Sequence, residues 1–403
     1  MTTLLSNTTN IDAGVDGMIK QSTIRLYEYC KQNNWAGYDP YDSLNSKFFK
    51  MLPILNRRLP RLLMLQAVKR IPINLRPLLL VPKAQNPKGL ALFSSALLKL
   101  NHYKVIHNNE LAEIVLQQMI KLRSPGQKDY CWGYHFDWQS RYFFLPKFHP
   151  NIVCTTFAGH ALLDVYEQYH HSRYLEMAVS AGNFILTGLN IVKDKNGICF
   201  SYTPLDKTQV HNANLLGAAF LARLYKHTGE NTFLDPARQS AAFSVQKQAA
   251  DGSWPYGEDS RQKWIDNFHT GYNLIALEQF SQYSGNREFQ ISLEKGYRFY
   301  LDHFITAEGI AKYYHDRIYP IDIHSVAQTI ITLVKLQHLD GDSVELALKV
   351  CRWALQHMQN KSGYFYFQKK QYVTDKVPYI RWSQAWMLYA FAALLGYENN
   401  NNK

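Results

Sequence analysis

The run QAADGSWPYGEDSRQKWIDNFHTGYN, residues 248–273, carries the plan of the whole chain. It opens with a turn at Asp251-Gly252, where a glycine supplies backbone freedom that other residues lack. An aromatic, strand-like run follows from Trp254 to Tyr256. After a polar linker, Asp266-Asn267-Phe268-His269 leads into an apolar helix.

Turn-and-aromatic segments of the same kind recur at GYHF (133–136), GICFSY (197–202), GIAKYY (309–314) and GYFYF (363–367). Their glycines, with Gly252, are spaced 64, 55, 57 and 54 residues apart. Each segment precedes a helix rich in Ala, Leu and Gly: 153–169, 213–228, 270–284, 325–338 and 383–395. All but the last are followed by a second helix richer in Lys, Glu and Gln: 172–188, 232–249, 286–303 and 342–358. A fixed long period marks a repeated supersecondary unit. The first helices are apolar on most faces and should be buried. Residues 90–103 add another inner helix, and 13–31 and 109–122 add two outer ones, giving six of each. The expected fold is all-α, an (α/α)6 toroid closed as a single domain over 1–403, with an open solenoid as the alternative. The aromatic loops would gather on one face and form a mouth.

Residues 1–13 read as a loose N-terminus, 35–87 as an irregular basic connection, 88–396 as the regular repeats and 397–403 as a polar tail. The connection alternates Arg and Lys with Leu, Ile and Met and is broken by Pro53, Pro60, Pro72 and Pro77. It supplies much of the net charge of +12. A basic balance implies an anionic partner. Zinc-finger spacing and an RNP-type strand are both missing, so no nucleic acid is expected. An acidic polysaccharide or oligosaccharide, or a membrane surface touched peripherally by 48–81, fits better. Aromatics are 14% of the residues, with Tyr the commonest, which suits a cleft for amphipathic ligands such as sugars. The five cysteines are scattered and form no CxxC, as in a reducing compartment. The sequence shows neither a signal-peptide pattern nor an apolar run of about 18 residues, so the expectation is cytoplasmic.

Gln248-Ala-Ala-Asp-Gly252-Ser-Trp254 resembles the Q-x3-G-x-W repeat of terpene-cyclase-type toroids. Gln359 to Phe365 resembles it with Phe for Trp. The other turns carry Asp129, Lys193 and Ile305 where the Gln would stand. Longer runs, WGYHFDWQSR (132–141), NANLLGA (212–218), DGSWPYGE (251–258), WIDNFHTGYNL (264–274) and YPIDIHS (319–325), resemble bacterial exopolysaccharide and capsule biosynthesis proteins with a six-hairpin, glycosidase-like toroid. That resemblance implies polysaccharide assembly as the pathway rather than a particular reaction. Such relatives sometimes carry a δ-aminolevulinate dehydratase label. That enzyme is a β/α barrel, and this chain has no alternating strand–helix pattern. Terpene cyclisation needs a DxDD-like acid, which is missing. Prenyl transfer needs an Asp, Cys and His zinc site, and no Cys stands near Asp266 and His269.

The repeat sets the candidate chemistry. Asp266 and His269 are three apart and share a face of a first helical turn. Asp322 and His324 follow one repeat later, and Asp137 stands near the same level two repeats earlier. These five are the candidate catalytic residues. Trp138, Arg141, Asn214, Trp254, Trp264, Asn267, Arg381, Trp382 and Asp39 are the candidate sugar contacts, the tryptophans stacking on sugar faces. Glu258, in an exposed-looking loop, is a further candidate acid. Asp and Asn before helices are also ordinary N-caps, and Trp254 also reads as a plug under its loop. No cofactor is expected, and the Asp/His pairs leave a metal unassigned. The first reading is a glycoside hydrolase using paired carboxylates. The second is a lyase or uronate epimerase with a His or Tyr base and a cation for the uronate. An inert glycan-binding scaffold is the reading from another class.

Overall fold

The computed structural model describes residues 2–140 and 144–401, and the side chains of 17–140 and 144–397. In chain order its helices are α1 (Thr2–Gln32), α2 (Lys47–Lys50), α3 (Arg58–Arg70), α4 (Pro87–His102), α5 (Leu111–Lys121), α6 (Ile152–Tyr169) and α7 (Ser172–Asn183). They continue with α8 (His211–Thr228), α9 (Asn231–Val245), α10 (Asn267–Ser284), α11 (Gln290–Phe304), α12 (Ile323–Lys335), α13 (Ser343–Met358) and α14 (Trp386–Asn401).

Six helices form the inner ring. Helix α4 packs on α6, α6 on α8, α8 on α10, α10 on α12, α12 on α14, and α14 returns to α4. Outside them, α5, α7, α9, α11 and α13 each pack on the inner helix that precedes them, and α1 packs on α14. The return contact closes the ring and excludes the solenoid. One hydrophobic core runs through the helices from Ile19 to Leu395. Inner helices are buried on nearly every face: α12 is buried from Ile323 to Val334 without a break. Among the described residues, no helix is long and apolar enough to cross a membrane.

Both chain ends differ from expectation. Helix α1 begins at Thr2 instead of leaving 1–13 loose, and α14 runs on to Asn401 through most of the expected polar tail. In each case a packed segment has already nucleated the helix, and adding turns to an existing helix is far easier than starting one.

The turns explain the glycine period. Gly197, Gly252, Gly309 and Gly363 all adopt positive φ, and each lies against an outer helix that comes later around the ring. A Cβ on Gly252 would stand 2.4 Å from the Lys295 carbonyl oxygen of α11, and one on Gly363 2.4 Å from that of Arg25 in α1. The glutamine of the Q-x3-G-x-W motif secures the same junction. The Gln248 amide donates to the Gly252 carbonyl (2.9 Å) and the Ser292 carbonyl of α11 (3.0 Å). Gln359 repeats this with Gly363 (3.0 Å) and Ser22 of α1 (3.3 Å). Only some of the aromatic runs are strands. Gly197–Phe200 pairs antiparallel with Ile191–Asp194, whereas Trp254 to Tyr256 forms no strand.

The basic connection is short helices and turns. Leu44, Phe49 and Leu65 form a small cluster of their own that seats α2 and α3. The connection lies over the mouth, because Leu62, Gln66 and Lys69 of α3 line the cavity there.

Candidate active site

The inner helices start at the mouth. Asn86 caps α4, Asn151 caps α6, Asp266 caps α10 and Asp322 caps α12, each accepting a backbone N–H of the first turn. Above these helix starts lies a cavity of about 460 Å³. Its walls are aromatic: Tyr134, Tyr202, Tyr256 and Tyr313, with Trp138, Trp264 and Trp382. Lys69, Lys88, Arg261 and Arg381 also line it, and among its described lining residues there is no Asp or Glu.

His269 reaches this cavity with a fixed orientation. Its Nδ1 stands 2.7 Å from Asp266 Oδ2, and Trp264 Nε1 donates to the same oxygen at 2.9 Å. The Asp266 carboxylate is fully buried, while the His269 side chain is 21% exposed. Asp266 therefore holds the proton on Nδ1 and leaves the Nε2 lone pair free for chemistry. Trp264 also stacks on Tyr256, with ring centroids 4.5 Å apart.

The floor is a second polar group in an aromatic box. His324 is stacked between Phe268 and Trp386, and its Nε2 lies 2.6 Å from the Tyr272 hydroxyl. Burial, with the nearby Lys88 and Arg381 cations, holds its imidazole well below the usual histidine range. Burial also pushes the Tyr272 phenol well above its usual range, so it keeps its proton. Lys88 Nζ donates to that hydroxyl at 3.3 Å and lies over the Phe157 ring at 4.3 Å. Lys88 is only 3% exposed. Burial, then repulsion by Arg381, lowers its pKa well below the lysine norm. No ion pair to Lys88 is found among the described residues.

Arg381 faces the cavity, and Asp39 holds it from behind with two hydrogen bonds of 2.6 and 2.9 Å. Asp39 itself is buried and does not line the cavity; its contact with the mouth is through Arg381. Beneath the floor a separate cavity of about 110 Å³ lies on the ring axis, lined by Lys99, Lys335, Arg223 and Asp164 among others. Tyr272 and Trp386 contribute to it from above.

Several expected site residues lie elsewhere. Asp322 is fully buried: it caps α12, accepts from Trp382 Nε1 at 2.9 Å and accepts from Gln368 at 2.6 Å. Burial raises its pKa to about 6. Asp137 accepts the Lys147 N–H and pairs with Lys50 at 3.4 Å outside the cavity. Asn214 ties Phe200 N–H to Ser240 and Ser244, and Asn267 binds Tyr300 and Thr329. Trp254 is a plug, 2% exposed, with its indole N–H on the Ser244 carbonyl. Arg141 lies outside the described residues. Glu258 pairs with His211 at 3.0 Å, a contact that holds its carboxyl down at about 2. A carboxyl ionised so readily is no general acid at neutral pH. The structure thus gathers His269, His324, Trp138, Trp264, Arg381 and Trp382 around one space, with Asp266 directly behind.

Lys88, Tyr272 and Lys69 were not singled out from the sequence. Lys88 had a legible signal: a cation in the first turn of an apolar helix sits at the unfavourable end of the helix dipole. Among the described residues, no group of three His, Cys, Asp or Glu side chains is placed to hold a metal ion.

No known family model matches the sequence, and no curated protein matches it. Solved structures do. An unsaturated glucuronyl hydrolase specific for heparin superposes with a TM-score of 0.63 at 13% identity, over 97% of this chain and 99% of that one. Cellobiose 2-epimerase from Bacillus thermoamylovorans gives 0.58 at 12% identity, over 78% and 88%. A GH76 α-mannanase from Bacteroides thetaiotaomicron gives 0.58 at 12%, over 79% and 87%. The chain shares their fold. It is an (α/α)6 toroid.

Proposed function

We propose that this protein is a carbohydrate-active enzyme that moves a proton at carbon on an acidic saccharide, as a uronate epimerase or a lyase does. One observation carries the reading: the mouth presents His269, held by the buried Asp266 carboxylate, and several cations, with no carboxylate among its described lining residues. Glycoside hydrolysis ordinarily needs two carboxyls facing each other across the scissile bond, about 5–10 Å apart. Asp137, Asp266 and Asp322 are all committed to backbone or side-chain partners, which argues against the hydrolase expectation.

In this mechanism the uronate carboxylate sits against Lys88 and Arg381. His269 Nε2 takes the proton from the carbon beside it, and the C–H electron pair moves into the carboxylate, where the cations stabilise the added charge. The Tyr272 phenol, hydrogen-bonded to His324, is placed to give a proton back. Returned to carbon from the other face, it completes an epimerisation. Given to the departing glycosidic oxygen as a C=C bond forms, it completes an elimination. The aromatic walls stack on the sugar rings.

The resemblance of five sequence runs to exopolysaccharide and capsule biosynthesis proteins supports a substrate drawn from polysaccharide assembly. The five cysteines, all buried and with no disulfide among the described residues, support the cytoplasm as the compartment. The test is to incubate the protein with uronate-containing polysaccharides in deuterated water. Deuterium at the carbon beside the carboxylate, or unsaturated uronate ends, is expected. New reducing ends with neither signal mean a hydrolase, and binding with no product of any kind means a glycan-binding scaffold.

A further inference from the structure

Between Asp42 and Glu110 the chain has no acidic residue. Within that window, residues 48–80 expose ten large apolar side chains, among them Met51 (75%), Ile54 (72%), Leu63 (61%) and Leu78 (80%). Fewer than a tenth of the residues thus hold nearly half of the exposed large apolar side chains described for the whole protein. A soluble surface rarely concentrates apolar area this way without a partner. Arg57 and Arg70 are exposed in the same segment, and Lys47 and Lys83 are exposed just beyond its two ends.

Helix α3 relates this surface to the mouth. Leu62, Gln66 and Lys69, at i, i+4 and i+7, line the cavity. Leu59, Leu63 and Arg70, on the adjoining stripe of the helix, face solvent, while Leu65 and Val68 on the opposite side are buried. One helix is therefore both a wall of the site and part of the apolar, cationic face.

We infer that residues 48–80 dock on an anionic lipid bilayer, and that the acidic glycan entering the mouth is attached to a lipid carrier held in that bilayer. Apolar side chains that enter the headgroup region, flanked by cations and free of carboxylates, are the combination that binds anionic membranes. A second protein's apolar face would gain little from so many cations. Helix α3 would then set the distance between bilayer and mouth, so that the saccharide reaches His269 while its anchor stays in lipid. The substrate part of this inference rests on the proton-transfer reading of the mouth, whereas the docking part does not.

The experiment is co-sedimentation of the full chain with vesicles of phosphatidylglycerol and phosphatidylcholine, and with vesicles of phosphatidylcholine alone. Binding to the first only, weakened by salt, is expected. The double variant Ile54→Asp/Leu63→Asp should bind at least tenfold more weakly. Both positions are exposed, so its melting temperature and its turnover of soluble uronate oligosaccharide should match wild type. Wild type that ignores anionic vesicles, or a double variant that binds them equally, overturns the docking. Self-association that buries this face, abolished by the same variant, overturns it in favour of an interface between copies. If wild type binds vesicles yet turns over no uronate, docking stands and the mouth reading fails. If it turns over soluble and lipid-linked glycan on vesicles at equal rates, the lipid-carrier part fails.

Discussion

Asp266 holds His269 twice: Oδ1 accepts the backbone N–H at 3.1 Å, and Oδ2 stands 2.7 Å from the ring Nδ1. One carboxylate thus starts helix α10 and fixes the imidazole that opens onto the mouth. The two roles separate by mutation. His269→Gln should lower turnover by about 10²–10⁴-fold, the usual worth of a general base, with little change in stability. Asp266→Asn keeps a good N-cap and should melt near wild type while still losing activity. Asp266→Ala should in addition cost about 1 kcal/mol of stability. Kinetics paired with thermal melts checks all three, and full activity in His269→Gln removes the base from the site.

Lys88 is costly where it stands, because a buried ammonium without a carboxylate has lost water and gained little. Lys88→Met should therefore melt at or above wild type while uronate binding drops. The sign with pH follows from its lowered pKa in the fold. The unfolded chain binds the proton more readily, so wild type loses stability as pH falls through the folded-state value. The margin of Lys88→Met over wild type should widen on acidification, read as melting temperature against pH.

Asp322 works in the opposite direction. Its folded-state pKa, about 6, lies above the ordinary 3.8, so the fold favours the protonated acid. That contribution is complete below about pH 4 and is lost as pH rises through about 6. Against Asp322→Asn, which is neutral throughout, wild type should lose relative stability across that window. A flat difference between the two melting curves would show that burial does not govern this carboxyl.

Trp254 and Gly252 test the architecture apart from the chemistry. Trp254→Ala empties a fully packed plug and should cost about 3–5 kcal/mol. Gly252→Ala sets a methyl against the Lys295 carbonyl at a positive φ and should also destabilise. Trp254→Phe should fold with an unchanged KM, since the ring contacts no cavity space. Denaturant melts and steady-state kinetics are the measurements.

The ring was legible because its signals are local. Glycine period, apolar helices and the Gln248 and Gln359 motifs each report a junction that one short run of sequence determines. The mouth was legible only in part. His269 and His324 stand out through their register, but whether an Asp beside a helix start faces the cavity or the backbone depends on where its side chain turns. Asp266 and Asp322 share a sequence setting, yet one sits behind a histidine and the other supports Trp382. Asn214 illustrates the same limit, since its partners Ser240 and Ser244 come from the following helix. Lys88 acquires its meaning from Phe157, Tyr272 and Trp386, which come from three other helices.

The hydrogen bonds between Arg381 and Asp39 span 342 positions of the chain. They form only when α14 and the segment before it meet the loop after α1, which is also how the ring closes. Contacts of such sequence separation come late and slowly in folding. A chain ending before residue 380 has the wall residues Tyr134, Trp138, Tyr202, Tyr256, Trp264 and Tyr313 but neither Arg381 nor Trp382, and its α4 lacks the α14 neighbour. Arg381 thus joins the other cations of the mouth only when the ring closes, and a chain cut before residue 380 should be open and inactive.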